Sequence, residues 1–156
     1  MSGDTRVFLV VVDESPEMRT ALRYACRRAK RTGGRVALLY VMHPPETQQW
    51  GGVADLMRQE ARQQAEQVVA SHSETAATLT GQPPAIHIRE GTSRDELLKL
   101  IAEDRSISVL VLGSSSTNEG PGPLVTAFIG KAGNLLRIPL TIVPGGLTEA
   151  EVDAIA

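Results

Sequence analysis

The chain has 156 residues, a formal charge of −2 and 42% hydrophobic residues, which fits one globular domain. The near-neutral charge and an aromatic content of only 3% argue against nucleic acid and against an acidic membrane, since there is neither a basic field nor a set of stacking platforms. Cys26 is the only cysteine, which excludes an internal disulfide and a thiolate metal cluster. No apolar run approaches a signal-peptide core or a membrane span, so the expected location is cytoplasmic. The expected organisation is a single domain over residues 1–156, with a core at 6–144 and a tail at 145–156.

Strands and helices alternate along the chain. Val7 to Val12 reads as strand one, and Ser15 followed by Pro16 reads as an N-cap and first helical residue. Met18, Ala21, Leu22, Ala25, Cys26 and Ala29 then mark one face of a helix, and Gly33-Gly34 stops it. Strand two spans Val36 to Val41. A loop with Pro44-Pro45, Trp50 and Gly51-Gly52 leads to a second helix from about Val53 into the seventies, with Val53, Leu56, Met57, Ala61, Ala65, Val68 and Val69 expected to face inward. Gly81 and Pro83-Pro84 break it. Ala85 to Arg89 is a short strand three. Ser93 and Glu96 have capping-box spacing and are expected to open a third helix carrying Leu97, Leu98 and Ile101.

Ser108 to Leu112 is strand four, followed by a loop of Ser, Gly and Pro from Gly113 to Pro123. A fourth helix is expected to hold Val125, Phe128, Ile129, Ala132, Leu135 and Leu136. Pro139 ends it, and Leu140 to Val143 is strand five. In the tail, Thr148 and Glu151 form a capping box, with Leu147 and Val152 at the staple positions, which predicts a helical turn from Glu149 to about Ile155.

This alternation predicts an α/β fold: a doubly wound, Rossmann-like parallel sheet of five strands with helices on both faces. An order 3-2-1-4-5 would set strands one and four side by side. The polar ends of those strands, Asp13-Glu14-Ser15 and Gly113-Ser114-Ser115-Ser116, would then face each other across a switch point, where such sheets bind ligands.

The order and spacing of these segments resemble the universal stress protein (UspA-like) family over nearly the whole chain. Val12-Asp13-Glu14-Ser15 matches V-D-x-S, Gly91 follows strand three, and Ile138-Pro139-Leu140-Thr141-Ile142-Val143-Pro144 is similar to the closing P-V-x-V-V strand. The resemblance implies a stress-response regulatory or protective binding protein, cytoplasmic and homodimeric, whose nucleotide-binding members carry G-x2-G-x9-G-[ST]. It implies ATP, ADP or AMP with magnesium as ligand. It places Asp13 near the ribose, Val41 against the adenine, and Gly113, Ser114, Ser116, Gly130 and Lys131 along the phosphates. It also implies a dimer edge at Leu140, Thr141, Ile142 and Val143. The motif is degenerate here. Ser116 stands at the second glycine, thirteen residues separate it from Gly130, and Lys131 stands at the Ser/Thr position.

The residues leave alternatives open. Glycines and hydroxyls in 113–123 can cradle an anion, or Gly120-Pro121-Gly122-Pro123 can serve as a rigid start for helix four. Asp13 can meet a ligand or cap a helix, and Val41 can meet a base or pack in the core. Arg19, Arg23, Arg27 and Arg31 form a ridge that reads as a solvated helix face, and Cys26 reads as an inert buried thiol. His43, His72 and His87 have no metal-ligand spacing. Three enzyme signatures fail: a P-loop at Gly130-Lys131-Ala132, a G-x-S-x-G elbow, and G-x-G-x-x-G from Gly113. A nucleotide-binding module is the first reading and a nucleotide-independent dimeric interaction protein the second. A slow ATP hydrolase using Asp13 is the third.

Overall fold

The short β-branched runs become strands because both of their faces are covered. In β1 (Val7–Val11), Phe8 and Val10 point into one apolar cluster and Leu9 into the other. The computed structural model describes residues 5–44 and 51–156. Pro45 and Trp50 lie outside the described residues.

The elements follow in the order β1, α1 (Pro16–Thr32), β2 (Arg35–Met42), α2 (Gly51–Thr80), β3 (Ala85–Glu90), α3 (Ser93–Glu103), β4 (Ile107–Ser114), α4 (Pro123–Ile129), a 3-10 turn (Lys131–Leu135), β5 (Leu140–Pro144) and α5 (Glu149–Ile155). The five strands are all parallel, in the order β3-β2-β1-β4-β5. Helices α1 and α2 cover the sheet face built from Phe8, Val10, Val36, Leu38 and Val111. Helices α3 and α4 cover the face built from Leu9, Ala37, Leu39, Leu110 and Leu112. Among the described residues, no helix is long and apolar enough to cross a membrane.

Helix α1 forms as expected. Ser15 Oγ accepts from the Met18 N–H at 3.3 Å, Pro16 opens the helix, and Gly33 closes it at φ 69°. All six residues of its apolar stripe are buried. Burial pushes the Cys26 thiol up to about 12, so it stays protonated and unreactive at neutral pH.

Helix α2 departs from expectation. Val53, Leu56 and Met57 are exposed, as is Ala61, and the buried anchors are Ala65, Val69 and Ala76. The cause is length. Thirty residues make a helix of roughly 45 Å, whereas an eight-residue strand such as β2 spans about 26 Å. The first turns therefore run past the sheet, where among the described residues they meet only the strand ends, through Arg58 to Glu90 at 3.7 Å.

The expected capping box at Ser93 and Glu96 does not form. Thr92 is the N-cap and makes no side-chain cap bond, while the Glu96 side chain lies over Gly91 and reaches Lys99 at 3.2 Å. The fourth helix stops early. Gly130 breaks it after Ile129, and at Gly133 a side chain would collide with the Phe128 carbonyl. Val125, Phe128 and Ala132 are buried, but Ile129 and Leu135 are 65% and 66% exposed.

The tail helix and its capping box form where the sequence placed them. Their effect on the arginine ridge was not expected. Arg23 and Arg27 both donate to the Asp153 carboxylate, at 2.8 and 3.0 Å. Arg31 donates to the Asp153 carbonyl and Arg28 to that of Ala156. Most of the ridge is therefore the dock for α5, with Val152 buried at its centre.

Candidate functional site

The strand order reverses at β1, which lies between β2 and β4, so the carboxyl ends of these strands frame the position where open α/β sheets take ligands. The Val12 N–H donates to the Leu39 carbonyl at 2.7 Å and holds the end of β1 against β2. Asp13 follows. One of its carboxylate oxygens accepts from both the N–H and the hydroxyl of Ser15, an Asx-type turn that fixes the side chain just ahead of α1.

A cleft of about 570 Å³ opens beside Asp13, within the size range of ligand pockets. Four segments build it. Asp13 and Glu14 come from the end of β1, and Tyr40, Val41 and His43 from the end of β2. Ser93 and Arg94 come from the start of α3, and Pro123, Leu124 and Ala127 from α4. Val41 is buried, with Leu124 and Ala127 packed against the same cluster, so one wall is apolar. The other side carries charge of both signs: Asp13 and Glu14 against Arg94, whose own near partner is Asp95 at 3.2 Å. Such a cleft can hold a flat apolar body and offer a carboxylate to its hydroxyl groups. His43 also lines a groove of about 630 Å³ between the end of β2 and the first turns of α2.

The space directly between Asp13 and Gly113 is small, a hollow of about 80 Å³ walled by Glu17, Met18 and Pro121–Val125. Gly113 has a packing reason for being glycine. Any Cβ there would strike the carbonyl oxygen of Glu17 in the first turn of α1, so glycine lets that helix close onto β4. Ser114 is tied to the tail through its carbonyl, which accepts from the Gly145 N–H at 2.8 Å. The loop after it folds on itself: the Ser115 N–H donates to the Pro121 carbonyl at 3.0 Å, and the Ser115 hydroxyl lies 3.0 Å from that of Thr117.

The structure thus brings Asp13 and Val41 together on the larger cleft, and Asp13 and Gly113 on the smaller hollow. Ser114, Ser116, Gly130 and Lys131 line neither. Gly130 follows α4, so Gly130 and Lys131 lie at the opposite end of that helix from the strand ends. The glycine that opens α4 is Gly122, at φ 111°. Tyr40, Ser93, Arg94, Leu124 and Ala127 were missed as lining residues. The available signal was position alone: each lies at a strand end or in the first turns of a helix starting on the same side of the sheet.

The sequence matches the universal stress protein family over residues 5–144. No curated protein matches it significantly. Universal stress protein UspA from Lactobacillus plantarum has a similar structure, with a TM-score of 0.72 at 18% identity over 89% of this chain and 97% of that one. A universal stress protein in complex with cAMP is similar at a TM-score of 0.54 and 18% identity, over 88% and 96% of the two chains. A universal stress protein family protein from Arabidopsis thaliana, with AMP bound, is similar at 0.59 and 14%, over 90% and 91%. At these identities the likeness is one of fold, and the sequence match carries the assignment: the chain belongs to the universal stress protein family.

Proposed function

We propose that the chain is a small regulatory or protective binding module, and that an adenine nucleotide occupies the cleft at the ends of β1 and β2. The observation that carries this reading is the convergence of Asp13 and Val41 on one cleft of ligand size. Val41, Leu124 and Ala127 would take the base, and Asp13 would accept from the ribose hydroxyls. The relatives with cAMP and with AMP support the same ligand class.

Monophosphates are the favoured members of that class. Pro121 and Pro123 have no N–H to offer, and the Ser115 N–H is already engaged, so the loop has fewer donors for a longer phosphate chain. Magnesium would enter only with the phosphates of ADP or ATP, which usually supply much of its shell. Among the described residues no three potential metal ligands stand together.

In calorimetry, AMP is expected to bind saturably and more tightly than ATP with magnesium. Ala127→Trp, which fills the cleft, should weaken AMP by roughly tenfold or more, and Asp13→Ala by about tenfold through loss of charged hydrogen bonds. Lys131→Ala should leave binding unchanged. Absence of heat with AMP, ADP and ATP alike would overturn the reading.

A second reading has its own support. β5 is an edge strand, with Leu140 and Thr141 half-buried, Val143 turned into the core, and Ile142 36% exposed. Unpaired backbone groups beside an exposed isoleucine suit pairing with another chain. A homodimer through β5 is compatible with nucleotide binding and does not require it. Light scattering is expected to give a dimer for the wild type and a monomer for Ile142→Pro. Ile142→Asp, which spares the backbone, should weaken the dimer at an unchanged circular dichroism spectrum. A dimer that survives both substitutions would exclude this edge.

A further inference from the structure

A second cleft, of about 420 Å³, lies on the opposite sheet face, between α1, α2 and the tail. Its floor is apolar: Leu22, Leu79, Leu147 and Val152. Its rim is polar, with Arg19 from α1 and Ser71, His72 and Thr75 from α2. We propose that this cleft is a second binding site, for a small amphipathic anion whose head meets Arg19 and His72 while its apolar body covers Leu79, Leu147 and Val152.

The charges on this face are unevenly committed. Arg23 is bound to Asp153 at 2.8 Å and lies 3.5 Å from Glu149. Arg27 is bound to Asp153 as well. Arg19 makes no hydrogen bond or ion pair among the described residues. It is the uncommitted cation at the mouth of a cavity with an apolar floor, which selects for an anion carrying a hydrocarbon or ring. The Ser71 hydroxyl provides a neutral donor beside it, whereas that of Thr75 donates to the Ser71 carbonyl at 3.4 Å.

His72 adds a sensor. Burial, and then the charge of Arg19, holds its imidazole below the ordinary histidine value, with Asp13 acting weakly in the other direction. Arg19 and Arg23 face the cleft from α1, and Glu149 faces it from the tail. An anion at Arg19 offsets the cation that disfavours imidazolium, so binding and protonation of His72 reinforce each other. Affinity then rises as pH falls through the titration of His72, below about 6.5.

Part of the site lies beyond the segment shared with the family model. The family match ends at residue 144, whereas Leu147, Glu149 and Val152 form one wall. The tail helix and its arginine dock create the cavity, and the adenine nucleotide cleft lies on the other face of the sheet.

The test uses the full chain, with octanoate and hexyl phosphate as carboxylate and phosphate probes and octanamide as the neutral control, followed by the imidazole NMR signals of His43, His72 and His87. A His72→Gln variant assigns the signal. At least one anion is expected to shift His72 saturably and raise its titration midpoint, while His87 stays fixed and octanamide has little effect. The better anion identifies the head group. Arg19→Gln should weaken binding by roughly tenfold or more, and Thr75→Trp, which fills the cleft, should abolish it. A His72 signal indifferent to both anions overturns the proposal. So does an equal response to octanamide, or an equal response in Arg19→Gln.

Discussion

Gly113→Ala is expected to destabilise the protein by about 3 kcal/mol, the upper range for overpacking a tight site. For a chain of this size that lowers the melting temperature by roughly 6–12 °C. The new methyl group would collide with the Glu17 carbonyl oxygen and crowd its Cβ at 3.1 Å. Neither group can yield easily, because Glu17 sits in the first turn of α1, fixed by the Ser15 cap. Gly145 crowds the same residue, with 2.6 Å between a notional Cβ and the Glu17 Cβ. Gly145→Ala should therefore act in the same direction. Gly120→Ala is the control. Its φ is +100° but its surroundings are open, so it should cost only about 1 kcal/mol of backbone strain. Thermal melts of the three variants separate the readings. If Gly113→Ala melts no lower than Gly120→Ala, the close approach of α1 to β4 is not what requires glycine at 113.

That glycine illustrates what a sequence does and does not display. The residue was visible as the end of a strand at a switch point, and a ligand role was the natural reading. Its contact with α1 depends on how tightly two elements far apart in the chain approach, which spacing does not encode. The parallel α/β class followed from alternation and handedness, and α1 from its apolar stripe and caps, whereas the order of the strands is not fixed by alternation and is settled by the fold. The exposed start of α2 was hidden because inward-facing residues can be judged only against the length of the sheet they cover. The end of α4 was placed too late for a related reason. The sequence put Gly130 inside the helix, and only the backbone shows that this glycine closes it. The arginine ridge looked solvated because its partner, Asp153, is more than a hundred residues away.

Val152→Asp is expected to release α5 without unfolding the sheet. Val152 is 1% exposed, whereas Ile155 on the same helix is 60% exposed, so one valine supplies most of the apolar hold, with Ala156 beside it. Full burial of such a side chain contributes about 1.5–3 kcal/mol. Losing it should speed amide exchange at Val152–Ala156 by roughly 10- to 150-fold, with β1 and β4 amides unchanged. Acid should loosen the same helix by a second route. A hydrogen bond from Arg23, helped by Arg27, holds the Asp153 carboxyl down to about 2. A carboxyl depressed in the folded state contributes stability above its ordinary value and loses it as pH falls through the folded one. The α5 amides should therefore remain protected at neutral pH and lose protection between about pH 4 and pH 2, with salt weakening the dock throughout. In Asp153→Asn that acid step should shrink to the part carried by Glu151, whose carboxyl the Thr148 N–H holds below its ordinary value, with lower protection at neutral pH. An undiminished step in Asp153→Asn would assign it to another carboxylate. Because Leu147 and Val152 wall the second cleft, any anion bound there should slow α5 exchange, so one measurement reads both the latch and its occupant.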